Sequence, residues 1–596
     1  MDGHIEFGEI KDVTASIIFE TTPGPEDDSK NIVNDWALWG NPVLTSNGRT
    51  ETHTKNKKTN VILITVDTLR ADYLHSYGNT WIQTPCIDQM ANEGIKFDNA
   101  YAPMSTTTPS HASILTSLYP YEHGVINNDY HLAERIPRLP EIFLEMGYKT
   151  GAAVSVFHLA DKTSGLGKGF DAYMQNDPAW RLERGIEELS VLTRSASVTT
   201  NAAIQWLESI HNDPFFLWIH YYDPHAPYDA DGDFHRMYYQ GDPKNPENPS
   251  MKNALFRNEW SGTILEWGRK YTDLDYYKKE YGAEISYTDS HIQRLLDALK
   301  RLMIDENTLI VVTVDHGENH GDHGIYFDHW FLRKTDLHVP LIFFYPKKLP
   351  KGKVVDKYVS LIDIAPTILD VLGKRDNFIA KNCFEGRSLR PLWEKKKIDY
   401  PKIHHAEGLY YTEIAAWDDR FKTVWELRDR EYHAKAKLKE SRVFIYDLID
   451  DPDEKSPAGC FIWGKEIERQ SGINYDIQPT EIIARMKMIP NAEELKTYLL
   501  KSDEDHFIKK ELLEDATFLP RIISLLEEMR KRVEPPPVID RIKKLGDISS
   551  FDELELRSVP ISDPAFMESL EHLGYTAQSS KKEVQSATAD IEKATP

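Results

Sequence analysis

Short, strongly apolar stretches alternate with longer amphipathic ones along the first two thirds of the chain. The clearest apolar stretches, NVILITV before Asp67 and NTLIVVTV before Asp315, are rich in β-branched residues. Runs of this kind are typical of strands buried on both faces of a parallel sheet. The segment EYGAEISYTDSHIQRLLDALKRLM has the spacing of an amphipathic helix. The alternation predicts an α/β fold with a large, mixed but mostly parallel sheet flanked by helices.

Changes in this pattern divide the chain into five predicted parts. Residues 1–57 form a polar N-terminal extension, and residues 58–375 form the main α/β domain. Shorter alternating segments such as FKTVWEL and RVFIYDL predict a small, largely antiparallel α+β subdomain over residues 376–455. Residues 456–575 are expected to be a helical extension, with FLPRIISLLEEMRKRV as its best amphipathic segment, and residues 576–596 a disordered tail.

The charge balance argues against one class of function. The chain has 71 Lys and Arg against 95 Asp and Glu, a net charge of −24, and the acidic residues are spread along its length. Since nucleic-acid binding needs a basic face, we expect no nucleic-acid partner. An anionic substrate would then need local positive charge from a metal ion or from a few Lys, Arg and His side chains.

Cysteine spacing and hydropathy further limit the kind of protein that this chain can be. The three cysteines, Cys86, Cys383 and Cys460, lack the paired spacing of a zinc module or a disulfide framework. No basic and apolar leader begins the chain, and no run of about 18 apolar residues would span a membrane. We therefore expect a cytoplasmic protein without a membrane span, with a secreted protein that has lost its signal as the open alternative.

Four polar segments carry the candidate chemistry. They are ITVDTLRADYL with Asp67, STTTPSHASILTSLYP with three threonines, YYDPHAPY with His225, and VDHGENHGDHG from Asp315. The carboxyl ends of parallel strands meet at one edge of a sheet, where α/β proteins place ligand groups. A single aspartate there commonly caps the next helix. Two of them, one followed by His316, instead favour a divalent ion held by carboxylate and imidazole ligands.

At these segments the chain resembles the sulfatase family of the alkaline phosphatase superfamily, over roughly residues 58–455. The resemblance implies the fold predicted above and a metal-dependent hydrolase acting on ester bonds. It rests on pieces that follow the family's order: NVILITVDTLRADYLHSYG, TPCIDQMANEGIKFDNAYA, TTPSHASILTSLYPYEHGVINN, SGLGKGFDAY, FFLWIHYYDPHAPY, VVTVDHGENHGDHG, VPLIFFYP, IDIAPTILDVLG and IYDLIDDPDE.

The family signature, Cys or Ser followed by Pro and Arg at alternate positions, aligns its nucleophile with Thr107. Its Pro falls on Pro109 and its Arg on His111. Threonine cannot become the formylglycine that sulfatases form from Cys or Ser. A threonine alkoxide can attack phosphorus and form a phospho-threonine that water hydrolyses. The resemblance thus implies Thr107 as nucleophile and favours phospho-ester chemistry, as in phosphodiesterase-like and phosphoethanolamine-transferase-like relatives.

The resemblance also implies one divalent metal ion held by Asp67, Thr107, Asp315 and His316. The family usually has a second Asp directly after the first, where this chain has Thr68, and often Asn in place of His316. Losing a carboxylate and gaining an imidazole favours zinc or manganese over calcium or magnesium, which stay open.

Five further side chains are implied to act on substrate or nucleophile. His225 is similar to a histidine that contacts the transferred group or protonates the leaving oxygen. His329 falls near a substrate-binding lysine, and Asn128 matches a polar residue that holds the ester oxygen. His123 opens the Asn128 motif, and His111 replaces the arginine that supports the nucleophile.

The preferred reading is a metal-dependent hydrolase of phospho- or sulfo-esters, with phosphodiesters and phosphomonoesters favoured. The substrate would be an anionic ester of a small molecule, a glycan or a lipid head group, and oligomerisation stays open. Three alternatives remain: an arylsulfatase-like sulfuric ester hydrolase, a phospho-group transferase, and an inactive sulfatase-like binding scaffold. Thr106 and Thr108 could simply cap a helix, and Arg70 could pair with Asp72.

Overall fold

The structure is a computed structural model, and it describes most of the main domain together with parts of the C-terminal half. Predictions for residues 1–57 and 576–596 lie outside the described residues. The described residues are 58–175, 193–245, 247–248, 250–251, 267–329, 331–396, 400–408, 413–426, 442–462, 492–500, 507–531 and 559–560.

Strands and helices alternate through the first part of the chain, as predicted. In chain order the strands are β1 (Asn60–Val66), β2 (Ile95–Tyr101), β3 (Tyr130–His131), β4 (Lys149–Ala153), β5 (Ala172–Met174), β6 (Phe215–Tyr221), β7 (Thr308–Val314), β8 (Asn319–His320), β9 (Tyr326–Asp328), β10 (His338–Phe344), β11 (Lys353–Ser360), β12 (His404–Glu407), β13 (Glu413–Trp417), β14 (Phe421–Glu426), β15 (Arg442–Asp447), β16 (Gly459–Ile462), β17 (Phe507–Ile508) and β18 (Val559–Pro560).

In chain order the α-helices are α1 (Pro85–Glu93), α2 (Thr107–Thr116), α3 (Pro120–His123), α4 (Leu139–Glu145), α5 (Asp161–Ser164), α6 (Ala196–Ile210), α7 (Leu274–Arg301), α8 (Lys334–Leu337), α9 (Ile364–Val371), α10 (Phe378–Cys383), α11 (Arg390–Trp393), α12 (Ala492–Leu499), α13 (Lys510–Glu514) and α14 (Phe518–Lys531). Among the described residues, no helix is both long and apolar enough to cross a membrane.

The main sheet has eight strands in the order β11-β2-β10-β7-β1-β6-β4-β5. β10 runs antiparallel to its neighbours β2 and β7, and the other neighbouring pairs are parallel. Every position of β1, β6 and β7 is buried, which explains why these strands are apolar throughout. The predicted mixed, mostly parallel sheet is confirmed.

The register of the central strands brings the two strand-end aspartates together. Val66 at the end of β1 lies opposite Val314 of β7, so Asp67 and Asp315 leave the sheet side by side. The Asp67 amide donates to the carbonyl of Tyr221, at the end of β6, over 2.8 Å. Three adjacent strands therefore deliver their following residues to one edge of the sheet.

Helix α7 fixes the turn that follows Asp67. The Tyr281 hydroxyl of α7 donates to the carbonyl of Thr68 over 2.7 Å and accepts from the amide of Arg70 over 2.9 Å. Thr68 has a φ of 54°, in the left-handed region that a β-branched residue rarely adopts. The contacts from Tyr281 hold this strained turn in place.

A second sheet, with six strands in the order β12-β13-β14-β15-β16-β17, is antiparallel throughout. It continues past the predicted boundary at residue 455, because β16 and β17 are strands where a helical extension was expected. The first of them, GCFI, is too short and apolar to show a helical period. The predicted amphipathic helix is present as α14 and packs on this sheet through Ile522 and Leu525.

The two sheets share one hydrophobic core. Ala406, Trp417 and Tyr446 of the second sheet belong to the same buried apolar cluster as the strands of the main sheet. The Glu407 amide donates to the Pro103 carbonyl over 3.0 Å. The second sheet therefore contacts the chain four residues before Thr107. The three cysteines, all among the described residues, are buried and unpaired with one another.

Candidate active site

Thr107 is the first residue of α2, and its side chain is buried at the edge of the main sheet. Its hydroxyl Oγ1 lies 3.2 Å from Nε2 of His316. One turn later, the Ser110 hydroxyl donates to the carbonyl of Asp315 over 2.8 Å. The start of the helix is thereby fixed against the end of β7, and Thr107 is held beside the strand-end residues.

The four predicted metal ligands come together at this point. His316 Nε2 lies 3.8 Å from Oδ1 of Asp67 and 3.5 Å from Oδ2 of Asp315. Ligand atoms of Asp67, Asp315 and His316 all lie within 4.8 Å of one another. Two ligands of one zinc ion, bound at about 2.0–2.2 Å, are separated by roughly 2.8–3.6 Å. The 3.5 Å separation lies within this range, and the 3.8 Å separation exceeds it by 0.2 Å, so a shared cation would draw Asp67 and His316 slightly closer together.

The carboxylates of this group need a cation. Both oxygens of Asp67 and Oδ2 of Asp315 are buried and have no hydrogen-bond partner among the described residues. Burial raises the pKa of Asp315 to about 6, and burial together with the Asp315 and Glu318 carboxylates raises the pKa of Asp67 well above its usual value. The residues therefore fit a divalent ion, which would compensate the buried negative charge.

His316 presents the correct nitrogen to such an ion. Its Nδ1 donates to the Gly317 carbonyl over 3.0 Å, so Nε2 keeps its lone pair in the neutral ring. Burial lowers the pKa of His316 to about 3, which keeps the ring neutral at ordinary pH. This is the form in which an imidazole binds a metal.

His111 holds the backbone of Thr107 from inside the protein. Its Nδ1 donates to the Thr107 carbonyl over 2.8 Å, and its Nε2 lies 3.0 Å from the Thr65 hydroxyl. The Trp218 indole donates to that same hydroxyl over 3.0 Å. Both nitrogens of His111 thus contact protein groups, and the ring fixes the first turn of α2 to β1.

Asn128 and His123 also hold α2. The Asn128 carbonyl oxygen accepts from the Thr108 amide over 2.8 Å, and its Nδ2 has no hydrogen-bond partner in the described part of the chain. His123 accepts from the Val125 amide over 3.1 Å through Nδ1, and its Nε2 lies 2.9 Å from the Ser113 hydroxyl. Asn128 therefore contacts the residue next to Thr107.

His225 and His329 lie near the metal group. The His329 ring stacks on the His316 ring, with the ring centroids 4.1 Å apart. The His225 ring lies edge-on to the His329 ring, with the centroids 5.8 Å apart. Nδ1 of His329 donates to the Ser105 carbonyl over 2.7 Å, and Nδ1 of His225 donates to the Ala226 carbonyl over 2.6 Å. Burial lowers the pKa of His225 to about 3.

Two further histidines lie at this edge of the sheet and were not predicted from the sequence. His158 is buried, and its carbonyl accepts from the Thr108 hydroxyl over 3.3 Å. Burial, with the nearby rings of His225 and His111, lowers the pKa of His158 well below its usual value. His220 lies within β6, with Nε2 3.4 Å from Oδ2 of Asp67. Its only sequence signal is a polar residue inside the otherwise apolar run FFLWIHY.

Arg70 and His320 belong to a separate buried polar network. Arg70 pairs with Asp72 at 2.7 Å and with Asp322 at 2.6 Å, as its simpler interpretation predicted. His320 Nε2 lies 2.9 Å from the Tyr228 hydroxyl, which donates to the Glu318 carboxylate. Burial raises the pKa of Glu318 to about 8.

Family models match a large part of the chain. The model described as Sulfatase matches residues 59–374, and the model described as N-sulphoglucosamine sulphohydrolase, C-terminal, matches residues 321–458. N-acetylglucosamine-6-O-sulfatase of Bacteroides thetaiotaomicron is 26% identical over 473 residues, which cover 67% of this chain and 82% of the relative.

Solved structures share the fold. One, in complex with its substrate D-glucosamine-2-N,6-O-disulfate, has a TM-score of 0.54 and 22% identity, covering 67% of this chain and 93% of that chain. The phosphonate monoester hydrolase of Agrobacterium radiobacter has a TM-score of 0.51 and 22% identity, covering 67% of this chain and 91% of the other.

Proposed function

The chain belongs to the sulfatase family, whose members are ester-bond hydrolases, and we propose that it hydrolyses anionic phospho- or sulfo-esters through Thr107 with the help of one divalent ion. One observation carries the proposal. The Thr107 hydroxyl lies beside an imidazole and near two buried carboxylates whose free oxygens have no hydrogen-bond partner among the described residues. This donor set suits zinc or manganese.

The mechanism uses groups that the fold already positions. A divalent ion held by Asp67, Thr107, Asp315 and His316 would lower the pKa of the Thr107 hydroxyl and neutralise charge on the transferred group. Thr107 Oγ1 loses its proton to solvent and forms a bond to phosphorus or sulfur while the bond to the alcohol oxygen breaks. His225 supplies the proton that this leaving oxygen needs. Water then attacks the same atom, releases the anion and restores Thr107.

His225 must gain its proton with the substrate. Nδ1 of His225 already donates to a carbonyl, and the low pKa keeps the ring neutral in the free protein. An anionic ester close to Nε2 would favour the protonated ring. We therefore expect the protein to take up a proton when it binds inorganic phosphate or vanadate at neutral pH. His225→Asn should abolish that uptake.

Phosphorus is favoured over sulfur by the nucleophile itself. Formylglycine expels sulfate by collapse of a hemiacetal, and a threonine has no aldehyde hydrate with which to do this. A phospho-threonine is open to attack by water at phosphorus. Sulfuric ester hydrolysis is the second candidate, because relatives such as N-acetylglucosamine-6-O-sulfatase carry that activity in their names. A sulfated glycan would be its substrate class.

A panel of esters with matched variants tests the proposal. Metal content is measured first, and hydrolysis of nitrophenyl phosphodiester, phosphomonoester, phosphonate and sulfate esters is then compared. Thr107→Ala should lower turnover by on the order of 10³ or more, because both nucleophile and ligand are lost. Thr116→Ala, which removes a buried hydroxyl at the far end of α2, is the matched control.

Three outcomes distinguish the proposed Thr107 hydrolase from the alternative functions. Acid-quenched wild type should yield a phosphorylated or sulfated peptide containing Thr107, and the identity of that group decides between phosphorus and sulfur. Turnover by Thr107→Ala equal to that of wild type would show that Thr107 is not the nucleophile. A chain that binds no divalent ion and cleaves no ester would instead be a binding scaffold.

A further inference from the structure

We infer that His220 is an additional ligand of the divalent ion proposed between Asp67 and Asp315, bound through Nε2. In the sulfatase signature a second aspartate directly follows the first, and this chain has Thr68 there. The imidazole of His220, which comes from the neighbouring strand β6, takes the place of the missing carboxylate. The inference rests on the metal dependence proposed above.

The first argument is the geometry of the two side chains. Nε2 of His220 lies 3.4 Å from Oδ2 of Asp67. Neither atom has a hydrogen-bond partner among the described residues, so the two do not form a hydrogen bond with each other. Two ligand atoms that bind one ion are close together but aim at the ion, and roughly 2.8–3.6 Å between them is normal.

The second argument is the tautomer of the ring. The Ser155 hydroxyl lies 2.7 Å from the carbonyl oxygen of His220, which can only accept, and 2.9 Å from Nδ1 of the same residue. When the hydroxyl donates to the carbonyl, Nδ1 must donate to Oγ of Ser155. The neutral ring then has its lone pair on Nε2, the atom near Asp67. A lone pair beside a buried carboxylate oxygen needs a cation between them.

The third argument comes from the sheet. His220 pairs in register with Thr65 of β1, and residues two apart in a strand share a face. Thr65 and Asp67 therefore occupy the face of the sheet on which His220 lies. Ligand atoms of His220 and Asp315 also lie within 4.8 Å of each other. His220 is thus close to both predicted carboxylate ligands.

His111 is the competing histidine, and its contacts argue against it. It lies in the same cluster as His220 and Asp315. Its Nδ1, however, donates to the Thr107 carbonyl, and its Nε2 faces the Thr65 hydroxyl. A metal at His111 would have to break one of these contacts. His220 Nε2 has no such contact to lose in the described part of the chain.

The test determines the number of imidazole ligands on the ion and also measures the zinc affinity. X-ray absorption of the zinc-loaded wild type should show two imidazole nitrogens, from His220 and His316, with one ion per chain. His220→Asn keeps an amide at the Nδ1 position for Ser155 and deletes Nε2. It should show one imidazole and a zinc dissociation constant raised at least about 10-fold. His404→Asn, which removes a buried histidine of the second sheet, should match wild type.

Affinity alone would not decide the matter, because losing a group that only orients Asp67 also costs on the order of 10- to 100-fold. An unchanged imidazole count in His220→Asn overturns the inference and leaves the proposed function standing. One imidazole in wild type, or two ions per chain, overturns it without any variant. A wild type that binds no divalent ion refutes the metal dependence itself, which is a distinct result.

Discussion

Removing the Asp315 carboxylate should stabilise the metal-free protein at neutral pH, although it destroys the proposed metal site. In Asp315→Asn, the amide oxygen can still accept from the amides of Thr68 and His316, which Oδ1 accepts from over 3.3 and 2.9 Å in wild type. The amide nitrogen takes the place of Oδ2, which has no hydrogen-bond partner among the described residues. The change therefore deletes a buried charge and keeps the local hydrogen bonds.

The magnitude follows from the pKa. Burial raises the pKa of Asp315 from 3.8 to about 6 in the folded protein, so the folded state binds the proton more tightly than the unfolded state. Its contribution to stability is full below about pH 4 and is lost as the pH rises through about 6. At about 1.4 kcal/mol per pKa unit, the loss is about 3 kcal/mol. An asparagine at this position does not titrate, so the variant does not undergo this loss of stability.

Urea unfolding of chelator-treated protein at pH 4 and pH 7.5 measures the effect. The free energy of unfolding of Asp315→Asn minus that of wild type should increase by about 2.5 kcal/mol between the two pH values, because part of the loss has already occurred at pH 4. Asp356→Asn, at an exposed position, should show no comparable increase. The reasoning is refuted if the difference for Asp315→Asn is the same at both pH values.

Three further predictions concern the ion and the backbone around it. Zinc at about 1,000 times its dissociation constant should raise the unfolding free energy of wild type by about 4 kcal/mol. The increase for Asp315→Asn should be much smaller, and urea titrations with and without zinc measure both. Gly317→Ala would place a Cβ 2.0 Å from the Thr335 carbonyl, so it should lower both the melting temperature and the zinc affinity; unchanged affinity would contradict this. Lys422→Met breaks a fully buried ion pair with Glu454 at 2.7 Å and should cost about 3–5 kcal/mol in urea unfolding, most of which the double variant with Glu454→Gln should restore.

The sequence was sufficient for the parts of the site that follow strands. Asp67 and Asp315 each end a strongly apolar run, and parallel strands in register put their ends together. Thr107 and His316 could be predicted as candidate site residues because they lie in motifs with a fixed order. The mixed sheet could be predicted because its central strands are buried at every position and are therefore apolar throughout.

Residues inside elements were harder to find. His220 lies within a strand, and only the pairing of β6 with β1 shows that it shares a face with Asp67. His158 follows β4 and reaches the site through α2, a contact between segments 50 residues apart. The strands β16 and β17 were expected to be helical, because runs of two to four residues are too short to show a period.

The contact between the second sheet and the Thr107 segment limits how the chain can be divided. Residues 58–375 expressed alone would lose Ala406, Trp417 and Tyr446 from the shared core and leave the Pro103 carbonyl without its donor from Glu407. A fragment cut there would expose apolar surface close to Pro103, four residues before Thr107. If Thr107 acts as proposed, a truncation in this region would therefore lower activity, even though every residue of the candidate site would still be present.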